Sequence, residues 1–310
     1  MAVATPTPVD AVPAPQRSRA SIILGMLWRD KFATVAMIFL LLVILCAVFG
    51  PAWLGDAAVR QNLRGRNAPP FSLQQGWLFI LGADALGRPL LARIVVAAQN
   101  TLAIAAGAVV LSSILGAILG LIAGYGPKWA STLIMRIADV IMSFPSLLLA
   151  VIVLYMLKPS VANLVLVLAI TRIPIYLRTT RAEALEIRER MFVQAAQVMG
   201  ASSRRIVFRH ILPMIVPTLV TIATLDFAFV MLAESALSFL GIGIQPPEIT
   251  WGLMVAQGRQ YLANAWWLAF WPGLAIILTT LSLNLLSGWL RIALDPAQRW
   301  RLEIGGRKNG

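Results

Sequence analysis

Six long apolar runs punctuate the chain, at residues 32–50, 101–123, 140–157, 160–177, 211–240 and 266–290, with shorter polar stretches between them. A helix needs about 20 apolar residues to cross a hydrocarbon core roughly 30 Å thick. Lipid offers no partner for backbone N–H and C=O groups, so helices are the natural solution for runs of this length. The pattern therefore predicts an all-α membrane protein with six transmembrane helices. The first run is too long for a signal-peptide core and lacks a small-residue cleavage pattern after it, so it reads as a span. Residues 1–20, rich in Pro, Ala and Val, read as a disordered tail.

The interruptions within the runs carry further information. Gly and Ala are frequent in 101–123, which lets a neighbouring helix approach closely. Phe144-Pro145 predicts a kink in the third span, because proline removes a backbone donor. Arg172 and Pro174 fall near the end of the fourth span, where an arginine can snorkel to the interface. The fifth span embeds Asp226 and Glu234, eight residues apart and on roughly one face. Trp266 and Trp267 open the sixth and suit an interfacial belt.

Composition agrees with a membrane reading. Only 13% of the 310 residues are charged and 59% are hydrophobic, against about 25% charged in soluble domains. The net charge of +13 does not point to nucleic acid, because the basic residues flank the spans and form no separate domain. With both termini inside, the inner segments carry 19 of the Lys and Arg residues and the outer segments 7. That bias predicts cytoplasmic termini, although 51–100 would hold five arginines outside. A single cysteine (Cys46) and a single histidine (His210) exclude a disulfide framework and a histidine-based metal centre within the chain.

The polar segment 178–210 is then the longest inner loop. "RAEALEIRERMFVQAAQVM" has high helix propensity, Gly200 is a plausible C-cap, and Ser202 or Ser203 restarts a second helix as N-cap. Ala195, Ala196 and Met199 share a face at helical spacing. Two readings fit: a small knob for a groove on a soluble partner, or an amphipathic helix on lipid headgroups.

The run "QAAQVMGASSRRIVFRHILP" resembles the EAA loop of ATP-binding-cassette importer permeases, with Gln194 where that family usually has Glu. "LGADALGRPLLARIVVAAQNTL", "ESALSFLGIGIQPPEITWGLMVAQGRQYL", "FWPGLAIILTTLSLNLL" and "LRIALDP" are similar, in order, to segments of the dipeptide/oligopeptide/nickel permease subfamily, except that Ser287-Gly288 stand where Gly-Asp is usual. The resemblance implies a type I importer permease (MetI-like) core of bacterial inner membranes, over residues 101–290, with a coupling loop at 178–210 and an external loop at 241–265. Before it come a cytoplasmic tail (1–31), the first span (32–50) and an external segment (51–100); after it comes a cytoplasmic tail (291–310). It implies four kinds of partner: a second permease subunit, two ATPases, an external solute-binding protein and the lipid bilayer. ATP and Mg would belong to the ATPases; no G-x-x-x-x-G-K-[ST] loop occurs here. The ATPase contact would fall on Gln194, Ala195, Ala196, Met199, Gly200, Ala201, Arg204, Leu212 and Pro213.

For Asp226 and Glu234 two readings stand: lining of a translocation path, or hydrogen bonding to a neighbouring helix. Arg136 and Asp139 read as a local i, i+3 pair. "PPEITWGLMVAQGRQYLANAWW", opening at Pro246-Pro247, reads as an external amphipathic helix with two compatible roles: contact with a binding protein or a cap on the cavity, and an interfacial helix anchored by Trp266 and Trp267. The alternative to an ATP-driven importer is a secondary transporter or channel acting without an ATPase.

Overall fold

The computed structural model describes residues 25–158 and 160–294. Most of both expected tails, 1–24 and 295–310, lies outside the described residues, as does the proline closing "LRIALDP". Among the described residues the structure is helical, with no strand.

Helix α1, Lys31–Val59, begins at an Asp30 cap that accepts from the backbone N–H groups of Phe32 and Ala33, both at 3.1 Å. It was expected to stop near residue 50, but it runs through Pro51 for 29 residues, about 43 Å at 1.5 Å per residue. Three short 3₁₀ turns follow, between residues 63 and 81. Helix α2, Leu90–Tyr125, starts eleven residues before the apolar run it contains and so takes in Arg93.

The third apolar run does not form one kinked helix. Amphipathic α3 (Lys128–Ser143) and apolar α4 (Ser146–Met156) meet at 90°. Pro145 disfavours helical geometry at the residue before it, and Phe144 is extended at φ −95°, ψ 140°. With 11 residues α4 is about 16 Å long, half a hydrocarbon core. Five helices are thus long and apolar enough to span, and the bent pair supplies a sixth span if counted as one.

Helix α5, Val161–Arg188, is capped by Ser160 and runs past the expected end of its span. The chain breaks at Glu189–Arg190 and restarts as α6, Met191–Val198. Helix α7, Ser203–Ile206, passes through a π turn, Val207–Ile211, into α8, Leu212–Phe239. The π turn sits where Pro213 has no N–H to offer the carbonyl four residues back. A short α9, Trp251–Gly258, precedes the last span α10, Trp267–Leu294.

Helices α2 and α5 form the closest pair, and a glycine ladder explains why. Gly116, Gly120 and Gly124 lie at four-residue spacing along the α2 face that meets Tyr176, Leu177, Thr180 and Ala184. A Cβ on Gly120 would lie 2.6 Å from the Leu177 carbonyl oxygen, and one on Gly124 3.0 Å from the Ala184 Cβ. Backbones this close gain dispersion contacts, which drive association where lipid removes the hydrophobic effect. The expectation that small residues in this span admit a neighbour holds.

Among the described residues two larger apolar cores stand beside two small clusters. The larger unites α2, α5, α8, α9 and α10 through residues such as Ile104, Leu164, Met231 and Trp251. The smaller, built from Leu121, Tyr176, Ile187, Val193, Ile206 and Ile215, sits where the 189–211 segment folds back on the bundle.

Candidate functional site

That fold-back segment is the most constructed feature of the surface. Helix α6 ends in a Schellman turn: the Ala201 N–H donates to the Ala196 carbonyl and the Gly200 N–H to the Gln197 carbonyl, each at 3.0 Å. Gly200 closes it at φ +82°, a left-handed conformation that glycine adopts without steric cost. Ser202, rather than Ser203, then caps α7 by accepting from the Arg205 N–H.

The segment is fastened to the spans. Val193 and Ile206 are buried with Ile187, Ile211 and Ile215. The Gln197 side chain donates to the Tyr125 hydroxyl at the end of α2 (3.2 Å), and Arg188 lies over the Tyr125 ring. Gln194 donates to the Glu189 carbonyl across the break, and His210 rests against the Phe192 ring.

The outward face differs from the one expected. Ala196 is 6% exposed and faces inward, so Ala195, Ala196 and Met199 do not form one knob. The outward ridge is Met191, Ala195, Val198 and Met199, at i, i+4, i+7 and i+8; Met191, Val198 and Met199 are each more than 80% exposed. Periodicity alone could have found it, because Val193 and Ala196 satisfy the inward stripe and leave Val198 outside. Gln194 and Arg204 are exposed on the same segment, Ala201 and Leu212 half-buried, and Pro213 exposed at the start of α8.

The two acids of α8 are both enclosed. Asp226 pairs with Arg172 of α5, which also lies 4.2 Å over the Phe229 ring. Arg172 therefore does not snorkel; its charge is answered inside the bundle, by an acid 54 residues away. Tyr176 is buried beside the same carboxylate. Glu234 is fully buried and accepts from Ser238 at 2.7 Å, with Ser235 and Thr250 nearby. In this conformation neither acid reaches an open surface of the chain. Asp139 likewise turns from Arg136: it pairs with Arg178 of α5 at 2.5 Å, tying α3 to the bundle.

At the opposite end from Tyr125, the 84–88 turn, the start of α2 and α9 are locked together. Asp84 Oδ1 accepts from the N–H groups of Leu86 and Arg88, both at 2.9 Å. Its Oδ2 takes Arg88 Nε at 2.7 Å and Arg93 at 2.5 Å. Asn100 donates to Glu248, and the Trp251 indole donates to the Ile94 carbonyl. Two of the five arginines that sat awkwardly in 51–100 are thus held on one acid.

A bundle of five or six candidate spans with an apolar-ridged helical loop fastened to one end is the architecture of a multi-pass membrane protein. A family model described as binding-protein-dependent transport system inner membrane component matches residues 116–300. The di/tripeptide transport system permease protein DppC of Pseudomonas aeruginosa is 41% identical over 269 residues, 86% of this chain and 88% of that one. The glutathione transport system permease protein GsiD of Escherichia coli (strain 536) is 39% identical, covering 86% and 87%. The probable D,D-dipeptide transport system permease protein DdpC of Escherichia coli K12 is 35% identical, covering 90% and 92%. The chain belongs to the family of binding-protein-dependent transport system inner membrane components. It is a non-catalytic permease subunit that works with a solute-binding protein and ATPase partners.

Proposed function

We propose that the chain carries peptides or closely similar small solutes across the inner membrane, and that the ridge of Met191, Ala195, Val198 and Met199 is the surface an ATPase subunit grips. Large apolar side chains at helical spacing, exposed on a loop too polar to enter lipid, suit a groove on a soluble protein. The observation that carries the reading is the fastening behind the ridge. A push on α6 reaches α2 through Gln197 and Tyr125, and reaches α5 and α8 through the Val193–Ile206 core. The names of the relatives support peptides as the substrate class.

The assembly has a second permease subunit, two ATPases holding ATP and Mg, and a solute-binding protein on the outer side. Both termini and the 189–211 segment are cytoplasmic; 60–89 and 241–265 face outward. Gln194, Gly200, Ala201, Arg204, Leu212 and Pro213 shape or flank the contact, and Ala196 supports it from beneath. Asp226 ties α8 to α5, Glu234 is held by Ser238 of its own helix and lies beside Thr250 before α9, and both act on the path only through helix position.

The test uses the complete complex in proteoliposomes. Val198→Asp places a charge in the gripped surface while leaving the buried face intact. We expect peptide uptake to fall at least tenfold, with the chain still inserted and stable. Uptake at the parent rate, or uptake by the chain without its ATPases, would overturn the proposal.

A further inference from the structure

We infer that the cavity at the far end of the bundle, between the 84–88 turn and α9, is a carboxylate site that receives an acidic side chain of the docked solute-binding protein. This rests on the outward placement of that end proposed above.

The cavity has a volume of about 270 Å³, and Asp84, Arg88, Arg93, Gln257, Gln260 and Tyr261 contribute to its lining. Two guanidinium groups face one carboxylate there, leaving one positive charge in surplus. That carboxylate is fully engaged, with both oxygens holding the donors described above. The donors are not exhausted. Arg93 is only 3% exposed, yet its Nε has no partner, and its other contact is a long 3.4 Å approach to Gln257. A buried guanidinium N–H without an acceptor is costly, so the site gains from an acceptor that reaches it. Surplus donors, surplus positive charge and a second guanidinium select a carboxylate, the ligand with which arginine makes its strongest hydrogen bonds.

The position chooses the source. Every lining residue comes from the 84–93 segment, from α9 and the turn after it, or from the start of α10. None comes from α5, the α8 acids or the glycine ladder. The cavity therefore opens at the end of the bundle, where a protein docks, and away from its middle, where a solute passes. One desolvated acid in such a socket fixes the register of a docked protein.

The complex with its ATPases, in nanodiscs, is titrated with its solute-binding protein while ATP hydrolysis is followed. Two variants are compared with the parent. Arg93→Lys keeps a charge for Asp84 but loses the Nε donor; Gln257→Leu removes a lining amide and leaves the Asp84 cage untouched. Co-purification with the partner subunits checks folding, and Gln257→Leu carries the test if Arg93→Lys does not assemble.

We expect the half-maximal concentration of binding protein to rise about tenfold in Arg93→Lys, the loss of one charge-assisted hydrogen bond. Gln257→Leu should shift it in the same direction. Among single alanine substitutions of the binding protein's surface acids, one should raise the parent's value equally and add nothing in Arg93→Lys, as a shared contact requires. Unchanged half-maximal concentrations in both variants overturn the inference. So does a variant that changes only the preference for a free peptide over its C-terminal amide, because the site would then serve the solute. A parent complex unresponsive to binding protein would instead refute the importer reading itself.

Discussion

The Arg172–Asp226 pair offers the sharpest test of the bundle's energetics. Asp226 is 2% exposed in its side chain and Arg172 18%. Deleting one member of a buried pair strands the other charge and costs about 3–5 kcal/mol, whereas replacing both with apolar residues is often neutral or better. The two deletions are not equivalent. With Asp226→Leu, Arg172 keeps its stack on Phe229, worth about 0.5–2 kcal/mol, and some access to the surface. With Arg172→Leu, Asp226 keeps neither. We therefore expect a loss near 3 kcal/mol for Asp226→Leu and near 5 kcal/mol for Arg172→Leu. The double Leu variant should regain at least about 2 kcal/mol of the larger loss. Unfolding of the purified chain in mixed micelles, followed by circular dichroism through the four-variant cycle, gives all three numbers. Single variants within about 1 kcal/mol of the parent, or a double variant equal to the sum of the singles, would refute the reasoning, because the charges would then be solvated independently.

Two further outcomes follow from backbone geometry. Gly120→Leu would drive a side chain into the Leu177 carbonyl and Thr180, so we expect a loss of at least about 1–3 kcal/mol and poor recovery from the membrane; recovery and melting temperature matching the parent would contradict the tight α2–α5 contact. At Gly200 an added Cβ meets nothing within 4 Å, so Gly200→Ala should cost only the left-handed penalty, about 1–2 kcal/mol, and Gly200→Asn less. Melting curves rank the pair, and Asn ranking below Ala would mean that a contact, rather than φ, decides the position.

The sequence exposed what depends on local chemistry. Apolar length announced the spans, glycine spacing the close pair, and the Gly200 and Ser202 residues the two caps of the loop. It concealed what depends on long-range pairing or on where a helix chooses to stop. Nothing in "TRIPIYL" says that Arg172 meets an acid 54 residues on; an unpaired intramembrane charge is the only local hint. Asp84 reads as an ordinary loop acid until the fold brings Arg93 back onto it. The boundaries of α1, α2 and α5 overshot their apolar runs, because a helix continues while its backbone bonds are satisfied, whether or not lipid surrounds it. The Ala196 error came from grouping small residues by likeness; the inward stripe was already set by Val193.

The features legible only in three dimensions share a direction. The fold-back core joins α6 to α5 and α8. The glycine ladder locks α5 to α2 over the stretch from Gly116 to Gly124. Above it, the Arg172–Asp226 pair ties α5 to α8, and at the far end α9 is pinned on α2 through Trp251 and on the 84–88 turn through Arg93. A displacement of α6 therefore has no soft element to dissipate in before it reaches the far end of the bundle; closely packed interiors transmit strain because they have little room to yield. The 90° break before α4 lies off this line: the polar ties of α3 to α5 are the half-exposed Asp139–Arg178 pair, worth at most about 1 kcal/mol, and a long Arg181–Ser131 hydrogen bond of 3.3 Å. Rigid-body motion of the α2–α5–α8 unit, with α3 and α4 yielding beside it, is the movement that this distribution of strong and weak contacts permits.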